Sequence, residues 1–230
     1  GYIALRTVGP RLGLAVTGFT GGFVSSTATI GSMGSRVRAT PKLMGPAVSA
    51  ALMSNIATVI QLAIVVGALS THLLRHLAVP LAVTGAIALV AALAASWRSF
   101  RRGDDTEDPL PGRAFAPMHA IAFAAIVGTA LLLSAFIHER FGDTGVTLAL
   151  AATGLADTHA AAASAAQMVA GQQLTLEAAA VATLAAFTAN SITKLAVAVT
   201  TGGRRFLLRV LPGVAAMNAG FAAIVLGWIG

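Results

Sequence analysis

Cysteine is absent from the 230 residues, which excludes a disulfide framework, a thiolate metal site and a thiol nucleophile. Charge is almost as scarce. Only 10% of residues are Asp, Glu, Lys or Arg, against about 25% in a soluble domain. So few charges cannot cover a water-facing surface, which argues against a soluble enzyme. Aromatic residues make up 6% of the chain. No cleavable signal peptide is evident, and residues 1–8 read as the tail of an earlier apolar segment.

Small and aliphatic residues fill the chain instead. It is 57% hydrophobic, has a mean hydropathy of +0.83 and contains 24 glycines. Small residues let transmembrane helices approach closely. The expectation is an all-α integral membrane protein, with the lipid bilayer as its surroundings and one membrane domain over 1–230. Small-residue faces also suit a homodimer. The net charge of +7 could suggest nucleic-acid binding. That reading is rejected, because the basic residues sit in short loops between apolar runs, where the positive-inside rule places them.

A membrane span needs about 20 mostly apolar residues. Five stretches qualify as full transmembrane helices: 44–69, 77–97, 116–138, 176–200 and 207–230. Two more, 12–34 and 145–170, are long enough but interrupted, with breaks expected at Gly21–Gly22 and at Gly154. The stretch 98–115 carries four arginines, four acids and two prolines, and reads as a solvated linker. It separates repeat one (1–97) from repeat two (116–230). A shift of 132 aligns Gly13, Gly22, Ser32 and Pro80 with Gly145, Gly154, Ser164 and Pro212. A shift of 135 aligns Asn55 and Thr58 with Asn190 and Thr193.

Charge placement bears on topology. Of the 15 Lys and Arg, Lys194 lies within a span, leaving 14 to count. If both interrupted segments cross the membrane, the 14 divide seven and seven. If both are re-entrant hairpins, twelve fall on one side and only Arg75 and Arg140 on the other. The second division is the one positive-inside predicts. It also leaves an odd number of crossings between the breaks, giving an inverted-topology repeat of the kind common in secondary transporters.

The interrupted segments carry the chemistry. Ser25, Ser26 and Thr27 follow the first glycines, and Asp157, Thr158 and His159 follow the second. Each cluster starts a half-helix, whose unpaired N–H groups and positive dipole end suit an anion or polar group. Ser25 and Asp157 can equally be N-caps that complete the broken backbone. An ionisable Asp157 within a membrane segment is by default a functional hypothesis. His159 can share its proton or serve as an interior hydrogen-bond partner. One carboxylate and one imidazole do not make a metal site, and no cofactor is expected. Asn55 and Asn190 lie mid-span, with Thr58 and Thr193 on the same helical faces. Lys194 shares a face with Asn190. It can pair with Asp157, bind an anion, or snorkel to the interface.

GFTGGFVSSTAT (18–29), TGLADTHAAAASAA (153–166) and the later TANSITKLAVAVTTGG resemble a membrane module of unknown function, the DUF family numbered 4010, found in bacterial proteins of MgtC/SapB type. The resemblance covers nearly the whole chain. It implies a multi-pass protein of the bacterial inner membrane with a link to ion homeostasis, and it identifies no substrate. The functional expectation is a secondary transporter or channel-like carrier of a small ion or polar solute. Its midplane site would be formed by Ser25, Ser26, Thr27, Asn55, Asp157, Thr158, His159, Asn190 and Lys194. The alternative is a non-transporting membrane partner or regulator of an ion-homeostasis system. An intramembrane enzyme is not expected, because the hydroxyls lack a nucleophile motif.

Overall fold

The computed structural model describes residues 10–101 and 145–228, with side chains from residue 13 onward in the first stretch. All regular structure among these residues is helical. Helix α1 (Pro10–Ala39) is followed by a 3-10 turn (Pro41–Leu43), α2 (Met44–Leu69) and α3 (Thr71–Arg101). Then come α4 (Gly145–Ala156), α5 (Thr158–Ala170) and α6 (Leu176–Gly227).

Among the described residues, three helices are long and apolar enough to cross a membrane: α2 with its leading 3-10 turn, α3 and α6. At 1.5 Å per residue, the 26 residues of α2 extend about 39 Å, against about 30 Å of hydrocarbon. The expected span 44–69 coincides with α2. The span 77–97 lies inside α3, which begins earlier and continues to Arg101, four residues into the stretch expected as linker. The span 116–138 and the rest of that linker lie outside the described residues.

A single residue joins α2 to α3. Ser70 donates its N–H to the Val66 carbonyl, and its Oγ accepts from the Leu73 N–H, so it closes one helix and caps the next. The two helices run antiparallel, with Gly67 against Leu74, Gly85 against Val59, and Ser49 hydrogen-bonded to Ser96.

Helix α6 has 52 residues, and Gly203 within it adopts φ +78 and ψ 176. That backbone is accessible chiefly to glycine, and it divides α6 into arms 176–202 and 204–227. Ser191 and Asn218 would be about 40 Å apart on a straight helix. Instead the Asn218 amide donates to Ser191 Oγ at 2.9 Å, and the Phe187 and Phe221 rings meet at 5.4 Å. The arms therefore fold back on each other, and they correspond to the two expected spans 176–200 and 207–230.

The chain forms two compact units whose boundaries fall inside α2, α3 and α6. The first comprises the described residues 10–60, 85–101 and 194–217. Its core joins Ile30, Met33 and Val37 of α1 to Leu43, Ala47 and Leu52, and to Phe206, Val210 and Val214 of the second arm of α6. The second comprises the described residues 61–84, 145–193 and 218–228.

Candidate functional site

Each unit contains one of the two interrupted segments. In the first, Ser25 leaves the helix with φ −167 and ψ 113. Its Oγ accepts from the Ala28 N–H at 3.1 Å, while its carbonyl accepts from Thr29 Oγ1 at 2.8 Å. Ser25 thus caps the second arm of α1. The chain turns sharply there: Thr29 stands against Gly21, eight residues back, where a straight helix would separate them by about 12 Å. Ser26 and Thr27 follow the cap and are buried at 7% and 5% exposure.

In the second unit the break is at Asp157, with φ −152 and ψ 112. Asp157 lies 132 residues after Ser25, and the two backbones are nearly the same. Its Oδ1 accepts from the His159 N–H at 2.8 Å and lies 2.9 Å from His159 Nδ1. An ionised carboxylate can only accept, so Nδ1 carries the proton in this pair. The Asp157 side chain remains about half exposed, at 49%. Thr158 is fully buried, and its Oγ1 has no hydrogen-bond partner among the described residues. The carbonyl of Leu155, left open where α4 ends, accepts from Thr193 Oγ1 at 2.8 Å.

The breaks were expected at Gly21–Gly22 and Gly154, and they occur three residues further on. The glycines remain helical and serve another purpose. Gly22 packs on the backbone of Ser54, and Gly154 on that of Ala186; each partner lies 32 residues later. The chain breaks where a Ser or Asp side chain can take up the N–H groups of a new helix.

A second polar cluster lies in the first unit. Lys194 is buried to 1% exposure, so the snorkelling alternative is excluded. Its Nζ donates to Asn55 Oδ1 at 3.0 Å and to Thr58 Oγ1 at 3.2 Å. Asn55 Nδ2 is occupied by the Ala51 carbonyl at 3.0 Å, which fixes the amide with its oxygen toward Lys194. A buried ammonium costs several kcal/mol unless oxygens replace its water, and the α2 face supplies two of them. Asn190 is buried one turn before Lys194.

Among the predicted residues, then, Asn55 meets Lys194, with Thr58 alongside it. Ser25, Ser26 and Thr27 belong to the same unit, and Asp157, Thr158 and His159 belong to the second. Two contacts escaped the sequence reading. Thr193 seals the Leu155 carbonyl, and Ser191 ties the arms of α6 together. Both pairings join residues distant along the chain, and no local pattern signals them.

Among known families, one described as a domain of unknown function (DUF4010) matches residues 1–202. Nothing matches among curated proteins or among solved structures.

Proposed function

The chain belongs to the DUF4010 family, and on that footing we propose that it is a multi-pass carrier of a small ion or polar solute in the bacterial inner membrane. The observation that carries this reading is the start of α5. There a half-exposed carboxylate, Asp157, adjoins a buried hydroxyl, Thr158 Oγ1, that finds no partner among the described residues. Interrupted backbone at membrane depth is tolerated where it is buried in protein or lines a wet cavity. An acid placed there marks a pathway for ions or protons by default. Asp157 spends Oδ1 on capping α5 and on His159, and its exposed face is the group offered to a solute, with the unused hydrogen bond of the buried Thr158 Oγ1 beside it. The imidazole orients the carboxylate, and Lys194 with Asn55 and Thr58 provides a fixed cation in the other unit.

The proposal includes two re-entrant helical hairpins within an inverted repeat, and arm lengths support it. The first arm of α1 runs parallel to α2, with Gly18 on Ala50 and Gly22 on Ser54. Ser25 therefore lies about 20 Å above the start of α2 at Met44. The 14 residues of arm 26–39 extend about 21 Å, enough to return to that level. An arm continuing forward would end about 40 Å away, with only residues 40–43 to cover the distance. In the other unit, Gly154 packs on Ala186, ten residues into α6, as Ser54 is ten residues into α2. Helix α5, with 13 residues, extends about 20 Å.

Flux measurements in proteoliposomes test the proposal, with a panel of Na⁺, K⁺, Mg²⁺, Cl⁻ and H⁺. Asp157→Asn should abolish flux of the transported species, and Thr158→Val should weaken it. Asn caps helices as well as Asp does, so loss of flux in a folded Asp157→Asn protein isolates the charge. Unchanged flux in that variant would refute the assignment.

A further inference from the structure

Apart from the buried Lys194, the described cations of the first unit gather at one end of it. Arg36, Arg38 and Lys42 follow from the second arm of α1 into the start of α2. Arg38 Nη2 donates to the Thr200 carbonyl at 3.0 Å, and Gly34 packs on Thr201. These contacts bring the end of α1 to the Gly203 turn, after which come Arg204, Arg205 and Arg209. Phe206 and Val210 share a core with Leu43 and Ala47, which holds that turn beside the start of α2. Ser96 meets Ser49 across the antiparallel pair, so Arg98 and Arg101 lie a few ångströms further toward the same end. All of these cations except the half-buried Arg36 are exposed. The described residues of the unit include no Asp or Glu, and its acids, Asp104, Asp105, Glu107 and Asp108, lie outside the described residues.

A second feature adjoins this rim. A shallow apolar groove runs along the outer face of α3 past Val90, Leu93, Ala94 and Trp97, and ends at Arg98. Trp97 and Phe100 are 64% and 68% exposed, and the Arg101 guanidinium lies 5.9 Å from the centre of the Trp97 ring. Exposed aromatic rings beside arginines mark the level where hydrocarbon gives way to headgroups. Below that level the groove offers an apolar track for an acyl chain. Above it the arginines offer planar forks that match the two charged oxygens of a phosphodiester.

We infer that this end of the first unit is a binding site for an anionic diacyl phospholipid, with an acyl chain along the α3 groove and the phosphate at Arg98 and Arg101. The remaining cations of the rim add long-range attraction. A zwitterionic lipid fills the groove equally well but gains little from a surface so rich in cations. The site is independent of the transport reading, since it involves neither Asp157 nor Lys194.

Native mass spectrometry of the full chain, released from phosphatidylcholine nanodiscs with or without phosphatidylglycerol, tests the inference. Phosphatidylglycerol should be retained in preference to phosphatidylcholine. The Arg98→Gln/Arg101→Gln double variant should bind phosphatidylglycerol about fivefold more weakly per arginine removed and leave phosphatidylcholine retention unchanged. Trp97→Ala should weaken both lipids. Arg75→Gln, a cation of the other unit, should alter neither. Equal retention of the two lipids overturns the inference, as does unchanged phosphatidylglycerol binding in the double variant or an equal loss in Arg75→Gln. Displacement of the lipid by millimolar inorganic phosphate would show a free-anion site, and would also overturn it.

Discussion

Replacing Gly22 or Gly154 by Ala adds one methyl group at the places where a broken helix touches its neighbour most closely. At Gly22 the new Cβ would stand 2.6 Å from the Ser54 carbonyl oxygen and 2.7 Å from Ser54 Cα. At Gly154 it would meet the Ala186 backbone. Ordinary contact begins at 3.4 Å, so the helices at Gly22 must separate by about 0.8 Å, the difference between 3.4 and 2.6. Backbone cannot move aside as a flexible side chain can. Overpacking of this kind costs about 1–3 kcal/mol. Against it stands about 1 kcal/mol gained from the higher helix propensity of Ala. Gly85→Ala supplies the comparison: it is also helical, and its Cβ would lie 3.5 Å from Val59 Cγ1, so it should gain propensity without crowding. Unfolding in mixed micelles of rising SDS fraction should therefore rank Gly85→Ala at or above the parent. Gly22→Ala and Gly154→Ala should fall below Gly85→Ala by about 1–3 kcal/mol. If all three variants unfold together, the close approach of broken helix to neighbour is not a packing constraint, and the placement of Ser25 above Met44 falls with it.

At Asp157, the Asn variant should match the parent in stability, whereas the Ala variant should lose about 1 kcal/mol in the same unfolding assay, because only Ala removes the cap. Lys194→Met should cost about 1–3 kcal/mol by leaving Asn55 Oδ1 buried without its donor. The double variant Lys194→Met/Asn55→Leu should recover part of that loss, and a strictly additive double-mutant cycle would deny the contact. Single cysteines are easily read in a chain that has none. Arg11→Cys and Arg38→Cys should react with an impermeant maleimide from the cytoplasmic face and Gln173→Cys from the periplasmic face. Arg11→Cys and Arg38→Cys reacting from opposite faces would end the re-entrant reading.

Spans were legible wherever a polar residue or charge follows a long apolar run. The bounds of α2 could be read to the residue because Pro41 and Lys42 precede it and Ser70 ends it. The turn between the arms of α6 was visible in Gly202–Gly203–Arg204–Arg205, since glycine and paired arginines seldom continue an apolar span. The breaks were located three residues early. Glycine reads as a helix breaker, but within a tightly packed helix pair it is the residue that admits the neighbour, and the capping side chain decides where the helix stops. The partner of Lys194 could not be read at all, since Asn55 lies 139 residues away along the chain. The 32-residue spacing from Gly22 to Ser54 recurs from Gly154 to Ala186, and the shift of 132 between those contacts would match Asn190 with Thr58 rather than with Asn55.

The Gly203 turn has a consequence for engineering. The arms of α6 are joined by one non-helical residue, with no slack between them. One residue inserted there and taken up as a further helical residue would rotate the returning arm by about 100° about its axis and shift it by 1.5 Å. Asn218 would swing away from Ser191, and Phe221 would leave the Phe187 ring. An epitope tag or fluorescent reporter at this apparently convenient turn should therefore scramble the register of the whole second arm. The longer 171–175 loop separates two independently capped helices and should tolerate the same insertion.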